Sequence, residues 1–184
     1  MDALERRYLP GEVRAEGDGR TIRGYAALFG EKSLDMGFRE VVEPGAFLSS
    51  LRRDLAAEPI LFLWSHDPGK PLASTRAKSL ELGEDERGLW FKAQLSGSSW
   101  ARDAVDAVRS GLTGSSFGFN VIRDEWRGDT RHLLEVRLLE ISLTPIPAYP
   151  GTLDQQHVRS KATGAAVRAR KRALDIKAKT IATL

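Results

Sequence analysis

The ten residues that begin at Thr113 constrain the fold most, because bulky and small side chains alternate along them with a period of two. In a β-strand, successive side chains point to opposite faces of the sheet. Phe117 and Phe119 would therefore share one face, and Ser116 and Gly118 the other. Such a strand packs one face into a core and leaves the opposite face shallow, polar and able to present a hydroxyl.

Length and composition indicate a single folded domain with an appendage. The chain has 184 residues, of which 41% are hydrophobic and 29% are charged, enough to bury one core. No stretch approaches the roughly 18 apolar residues that span a bilayer, and the first residues lack the apolar block of a secretory signal. We therefore expect a cytoplasmic protein with no membrane contact.

The residue types that hold metals or redox centres are scarce. There is no cysteine, which excludes disulfides, a thiol nucleophile and thiolate zinc sites. The three histidines, His66, His132 and His157, lie far apart in the sequence. We expect neither a metal nor another cofactor.

The charge divides the chain into two parts. Residues 154–184 contain 8 Lys/Arg and 2 Asp/Glu, whereas the rest contains 20 and 23, so the basic character belongs to the tail. We therefore predict a folded domain over residues 1–153 and a basic tail over 154–184, with a helix from Ala165 to Thr180. Because the folded part is acidic overall, nucleic acid is not an expected partner.

Strands outnumber helices along the folded part. We expect helices after Glu43-Pro44 and after Ser98-Ser99, where proline and serine suit helix starts. The expected strands are two short runs forming a hairpin between Leu9 and Gly30, then 59–64, 72–82, 88–95, 113–124 and 132–144. The pattern predicts a mainly β, α+β protein.

His66 is a candidate general base. It follows the apolar run that ends at Trp64, where water is partly excluded, and a Pro-Gly turn comes next. A lone histidine in such a place is more often structural. His132 and His157 lack an apolar setting, and we interpret them as turn and linker residues.

Ser116 is a candidate nucleophile, although an ordinary strand serine is the alternative. The run from Gly114 to Gly118 matches G-x-S-x-G, but the nucleophile elbow needs a strand followed by a turn and a helix. Here a helix precedes and a strand follows, so the match is coincidental.

The hairpin expected from the last two strands would place a carboxylate close to Ser116. A loop centred near Gly128 would place Ser116 opposite Glu140, unless a bulge shifts the register. Glu140 lies in an otherwise apolar strand, where a carboxylate either faces solvent or has a buried partner such as an imidazolium. Asp67, which adjoins His66, is the competing acid, although an Asp before Pro-Gly is also typical of a turn.

Several short motifs, in this order and spacing, resemble the tailed-phage prohead protease family, whose members are related in fold to the herpesvirus assemblins. The motifs lie between about Gly24 and Gly151: Gly24-Tyr-Ala-Ala with Phe29-Gly30, Glu43-Pro-Gly-Ala-Phe47, Trp64-Ser-His-Asp67, Ser116-Phe-Gly-Phe119, Leu139-Glu-Ile-Ser-Leu143 and Pro147-Ala-Tyr-Pro150.

The resemblance implies a closed antiparallel β-barrel flanked by helices and a serine endopeptidase with three catalytic residues. Ser116 would be the nucleophile, His66 the general base, and Glu140 would stand where assemblins have a second histidine. The basic residues that assist the oxyanion in assemblins have no match after Glu140, where the chain continues Ile141-Ser-Leu-Thr-Pro145.

The same resemblance implies the partners and the location. Family members cut scaffold and capsid-protein segments, and often themselves, inside the prohead in the cytoplasm of the bacterial host. Dimerisation would follow the assemblin pattern. The alternative from another class is a non-catalytic β-barrel that acts in scaffolding or capsid assembly, with an inert serine.

Overall fold

The computed structural model describes residues 4–9, 13–33 and 37–145. In this part of the chain, ten strands and two helices follow one another: β1 (Glu5–Leu9), β2 (Val13–Ala15), β3 (Thr21–Leu28), β4 (Arg39–Val42), α1 (Leu48–Arg52), β5 (Leu61–Trp64), β6 (Asp67–Ser74), β7 (Leu80–Glu84), β8 (Gly88–Gln94), α2 (Ser99–Arg109), β9 (Thr113–Arg127) and β10 (Thr130–Pro145). None of these helices is long and apolar enough to cross a membrane.

A long antiparallel hairpin of β9 and β10 dominates the larger sheet. Its loop is the two-residue connection between the paired Arg127 and Thr130, and Gly128 takes a positive φ of 60° there, as tight hairpin turns require. Phe117 and Phe119 are buried, as the alternating sequence predicts. Both faces of β9 are buried over residues 113–119, so the predicted shallow open face is not found there, and β9 becomes exposed only toward the hairpin loop.

The other strands of this sheet are added at both edges of the hairpin. The order is β1-β9-β10-β5-β6, with β4 also paired to β10. β4 runs parallel to the first part of β10, and β5 runs parallel to its second part. β5 thus reaches β10 beside Glu140, which is where the candidate site lies.

The smaller sheet, in the order β2-β3-β8-β7, packs on the larger one through a shared apolar core. Phe62 of the larger sheet and Phe91 of the smaller sheet have ring centroids 5.1 Å apart. Phe47, which precedes α1, meets Phe117 edge-on at 5.5 Å. Such aromatic pairs add stability beyond the area that they bury.

Both expected helices are present and their ends are explained by local contacts. The Ser98 hydroxyl accepts a hydrogen bond from the Ala101 amide at 3.3 Å, and thus caps α2. Glu84 of β7 accepts hydrogen bonds from the amides of Gly45 and Phe47, in the turn that leads into α1. α1 is therefore fastened to the smaller sheet.

The mainly β, α+β class is confirmed, but the closed barrel is wrong for the described residues. They form two sheets, and no strand ladder joins the end strands β1 and β6, or one sheet to the other. The strand expected over 72–82 is instead two strands, β6 and β7, because the chain turns after Ser74. β1 and β4 were not predicted. The basic tail and its helix lie outside the described residues.

Candidate active site

His66 lies in a tight turn between β5 and β6. Trp64 pairs with Asp67, so Ser65 and His66 form a two-residue loop, and their φ angles are 54° and 59°. Two positive φ values in succession are the requirement of a type I′ hairpin turn, which favours Asn and Gly. For other residues this conformation costs on the order of 1 kcal/mol or more each. The turn is fastened to β10 by a hydrogen bond of 2.8 Å from the Ser65 amide to the Leu143 carbonyl.

The His66 ring meets Glu140 of β10. Nδ1 of His66 lies 2.6 Å from Oε1 of Glu140. The Ser142 hydroxyl donates to the other oxygen, Oε2, at 2.6 Å, and Nε of Arg6 donates to Oε1 at 3.3 Å. Glu140 is only 6% exposed, so three donors satisfy a carboxylate that water barely reaches.

These partners keep Glu140 ionised. Burial alone would raise the pKa of Glu140, but the hydrogen bond and charge of His66, with the hydrogen bonds of Ser142 and Arg6, lower it below its ordinary value. An ionised carboxylate only accepts hydrogen bonds. Nδ1 of His66 must therefore carry a proton, and in the neutral ring Nε2 is left with a free lone pair. Nε2 makes no hydrogen bond to any described residue.

Ser116 lies on the same sheet face as this pair, but the expected register is wrong. Ser116 pairs with Ser142, and Gly118 is the residue opposite Glu140. Irregularities in the β9–β10 ladder, the last between Leu138 and Glu140, shift the pairing away from that of a regular hairpin.

The two neighbouring serines have different roles in the fold. Ser115 is buried on the other face, and its hydroxyl donates to the Tyr25 carbonyl at 2.5 Å. Ser116 is 2% exposed, and its hydroxyl makes no hydrogen bond to another described residue, His66 included. Of the two hydroxyls, only that of Ser116 has no acceptor among the described residues and could donate to a base.

Gly118 makes room for Glu140. A Cβ built on Gly118 would lie 2.5 Å from Oε1 of Glu140, far closer than such atoms approach. The Glu140 carboxylate thus occupies the space over Gly118. The glycine therefore lets Glu140 cross β9 without a steric clash.

The other candidate residues lie elsewhere. Asp67 accepts a hydrogen bond from the Gly69 amide at 2.8 Å, and its Oδ2 lies 3.6 Å from Nζ of Lys70. These contacts are typical of a turn residue, and Asp67 makes no side-chain hydrogen bond to His66. His132 is a residue of β10 that contacts Glu43, and His157 lies outside the described residues. No group of three or more potential metal-ligating residues occurs in the described segments.

Two contributors to the site escaped prediction from the sequence. Ser142 lies two residues after Glu140, so the period of two could have placed its hydroxyl on the same face. Arg6 offered no such signal, because nothing local marks the charged run Glu5-Arg-Arg-Tyr as a strand.

A buried carboxylate that holds an imidazole on a sheet face bearing a serine is typical of serine hydrolases. The model of the caudovirus prohead serine protease family matches residues 10–165. The chain belongs to that family and is a serine protease. No curated protein sequence matches the chain significantly.

A solved protein structure has a similar fold. The chain is similar to the bacteriophage T4 capsid assembly protease, gp21, with a TM-score of 0.54 and 11% sequence identity. The similarity covers 79% of this chain and 97% of that chain. At this identity, it shows a shared fold.

Proposed function

We propose that this protein is a capsid maturation endopeptidase in which Ser116 is the nucleophile, His66 the general base and Glu140 the residue that orients His66. One observation carries the proposal. Nδ1 of His66 is held at 2.6 Å by the buried carboxylate of Glu140, which leaves Nε2 unprotonated, on the sheet face of a serine whose hydroxyl has no partner among the described residues.

The first half of the reaction forms an acyl-enzyme. Nε2 of His66 takes the hydroxyl proton as Oγ of Ser116 attacks the scissile carbonyl carbon. The ring is then an imidazolium, and the ionised Glu140 stabilises it through the Nδ1 proton. Collapse of the tetrahedral intermediate breaks the C–N bond, and Nε2 gives its proton to the leaving amine.

The second half releases the acid product. Nε2 of His66 removes a proton from a water molecule that attacks the acyl carbon, and the ester bond to Ser116 breaks as Oγ regains a proton. Glu140 keeps its charge throughout. Its part is to hold the ring in one orientation and tautomer. A buried carboxylate that accepts three hydrogen bonds is suited to this task.

The proposed substrates are scaffold and capsid-protein segments inside the prohead, and the chain itself. The tail over 154–184, with 8 Lys/Arg and 2 Asp/Glu, would bind acidic scaffold or capsid segments or be removed by self-cleavage. A tail-deleted protein that still enters proheads would refute the binding role. Homodimer formation stays a prediction, which a concentration-dependent specific activity would support.

The test of the proposed nucleophile compares two adjacent serines. Wild type, Ser116→Ala and Ser115→Ala are expressed with the cognate capsid precursor, and the products are compared by intact mass. We expect Ser116→Ala to give uncut precursor. Ser115→Ala should still cut if it remains folded, because it removes only a structural bond to Tyr25. Identical products from wild type and Ser116→Ala would refute the proposed function.

A further inference from the structure

The N-terminal strand β1 brings a cation to the proposed active site. Nε of Arg6 and Nδ1 of His66 contact the same atom, Oε1 of Glu140, at 3.3 Å and 2.6 Å. We call these three residues, Arg6, His66 and Glu140, the active-site triplet. Arg6 makes no other ion pair or side-chain hydrogen bond with a described residue.

The sheet register explains how Arg6 reaches a carboxylate that belongs to β10. Arg6 pairs with Gly118 across the β1–β9 ladder, and Gly118 pairs with Glu140 across the β9–β10 ladder. Because Gly118 has no side chain, the carboxylate lies over β9 and meets the guanidinium there. A larger residue at position 118 would separate the two charges.

The opposite face of β1 fixes this placement. Glu5 and Arg7, the neighbours of Arg6, point away from the triplet into a buried ionic cluster with Arg131 and Glu40. Arg131 is 1% exposed and binds both Glu5 and Glu40. Charged groups that are buried and paired are costly to separate, so the cluster holds β1 in one register and presents Arg6 to Glu140.

The remaining charged groups near the triplet have partners of their own. On β6, Asp67 lies 3.6 Å from Lys70. On β10, Arg137, opposite Asn120, is bound to Glu58 at 2.7 Å.

The hydroxyl groups on this face are neutral. Burial raises the pKa of Tyr8 of β1, which pairs with Ser116 and whose hydroxyl has no hydrogen-bond partner among the described residues. Ser142 donates to Glu140. Of the charged residues on these elements, Arg6 is thus the cation whose carboxylate partner is shared with His66.

We propose that Arg6 is a positioning residue that shares Glu140 with His66 and thereby sets the lowest pH at which His66 can act as a base. This inference rests on the proposed function. A positive charge beside the ring disfavours a second positive charge on it. Arg6 also occupies part of the carboxylate that would otherwise stabilise the imidazolium. Removing the charge therefore favours protonated His66, and the acidic limb of the pH–activity profile moves to higher pH.

The expected size of the shift follows from distance and exposure. Two like charges a few Å apart repel each other appreciably in the interior of a protein, but the Arg6 side chain is 42% exposed, and solvent screens it. We expect Arg6→Gln to move the acidic limb of kcat/KM upward by about 0.5 to 1 pH unit, a roughly three- to tenfold change in proton affinity. High salt should reduce the difference.

The experiment compares the pH profiles of wild type, Arg6→Gln and Arg6→Lys, with Arg127→Gln as the matched control. Arg127 shares Glu43 with His132 in a similar way, but lies outside the site. Arg6→Lys should keep the limb near its wild-type position, since it keeps the charge. An unchanged limb in Arg6→Gln, or an equal shift in Arg6→Lys, would overturn the proposal, because a merely structural role lowers the rate without moving the limb.

A second measurement does not depend on cleavage. In the Ser116→Ala background, the ring titration of His66 followed by NMR should move in the same direction on Arg6→Gln. If Arg6→Gln does not fold, Arg6→Met is measured in its place. Ser116→Ala that still cuts refutes the proposed function, whereas an inactive Ser116→Ala with an unmoved His66 titration refutes the role of Arg6 alone.

Discussion

A second histidine of this protein, His132, has neighbours of the same residue types as those of His66. Nδ1 of His132 lies 2.6 Å from Oε1 of Glu43, and a terminal nitrogen of Arg127 lies 3.0 Å from the same oxygen. We call these residues, His132, Glu43 and Arg127, the second triplet. Each triplet thus joins a histidine, a glutamate and an arginine through one carboxylate oxygen.

The two triplets differ in what surrounds the carboxylate and the ring. The Glu140 side chain is 8% exposed and that of Glu43 is 25% exposed. Ser142 binds the second oxygen of Glu140, and the face of the active-site triplet carries Ser116. The residue opposite His132 on β9 is the charged Glu125.

The backbone differs as well. His66 lies in a turn with positive φ, whereas His132 is held within β10. A pair of histidine and carboxylate is therefore not enough to identify a catalytic site. In the proposed function, His66 differs from His132 because the carboxylate of Glu140 is more buried than that of Glu43 and lies on the sheet face of Ser116.

Replacing the two histidines in turn should show the largest difference in function between the triplets. We expect His66→Ala to lower kcat/KM by at least about 10³-fold, since the general base and the nucleophile act as one unit. His132→Ala should stay within about twofold. The measurement is the rate of capsid-precursor cleavage with both variants checked for folding. Equal losses in the two variants would show that the triplets do not differ in function.

Replacing the two carboxylates should give the second-largest difference in cleavage rate. Glu140→Gln should reduce the rate by about 10²- to 10⁴-fold, because an amide no longer selects the Nδ1–H tautomer of His66 or stabilises its imidazolium. Glu43→Gln is the matched control and should cleave at nearly the wild-type rate. An unaffected Glu140→Gln enzyme would indicate a Ser–His dyad or a role for Asp67.

Replacing Gly118 tests whether the active-site triplet depends on the space that this glycine leaves for Glu140. Gly118→Ala places a methyl group 2.5 Å from Oε1 of Glu140, and the flexible carboxylate should move away from His66 and Arg6. We expect a loss of about 10- to 100-fold in cleavage with the fold retained. The control is Gly97→Ala, where a new Cβ would meet nothing within 4 Å. Full activity in Gly118→Ala would mean that the position of the carboxylate is not critical.

The smallest effect is on acid stability. The pKa of Glu140 is lowered from its ordinary value of 4.5, so its ionised form contributes stability that is present above pH 4.5 and lost as the pH falls through the lower, folded-state value. The difference in Tm between wild type and Glu140→Gln should therefore shrink between pH 6 and pH 3. A constant difference over that range would contradict the sign of this linkage.

Much of the site could be anticipated, because its signals are local. The alternation around Ser116 predicts a strand with one buried face, and the apolar run ending at Trp64 places His66 at a turn. The pairing of Ser116 with Ser142 could not be derived, since the ladder shifts that displace it arise from tertiary packing. β1 was missed because Glu5 suits a buried strand only beside Arg131, 126 residues away, and Arg7 only beside Glu40, 33 residues away.

Local sequence patterns predict the strand-rich class and the alternating strand of Ser116, because side-chain periodicity acts over a few positions. The roles of His66 and Glu140 come from the family resemblance, since the residues alone left Asp67 as a competing acid. Only the folded structure shows that two sheets form instead of a closed barrel, that Gly118 makes room for Glu140, and that Arg6 shares the carboxylate with His66. Those features depend on register and on contacts between distant strands, which are set by the summed packing of the whole fold rather than by any local pattern.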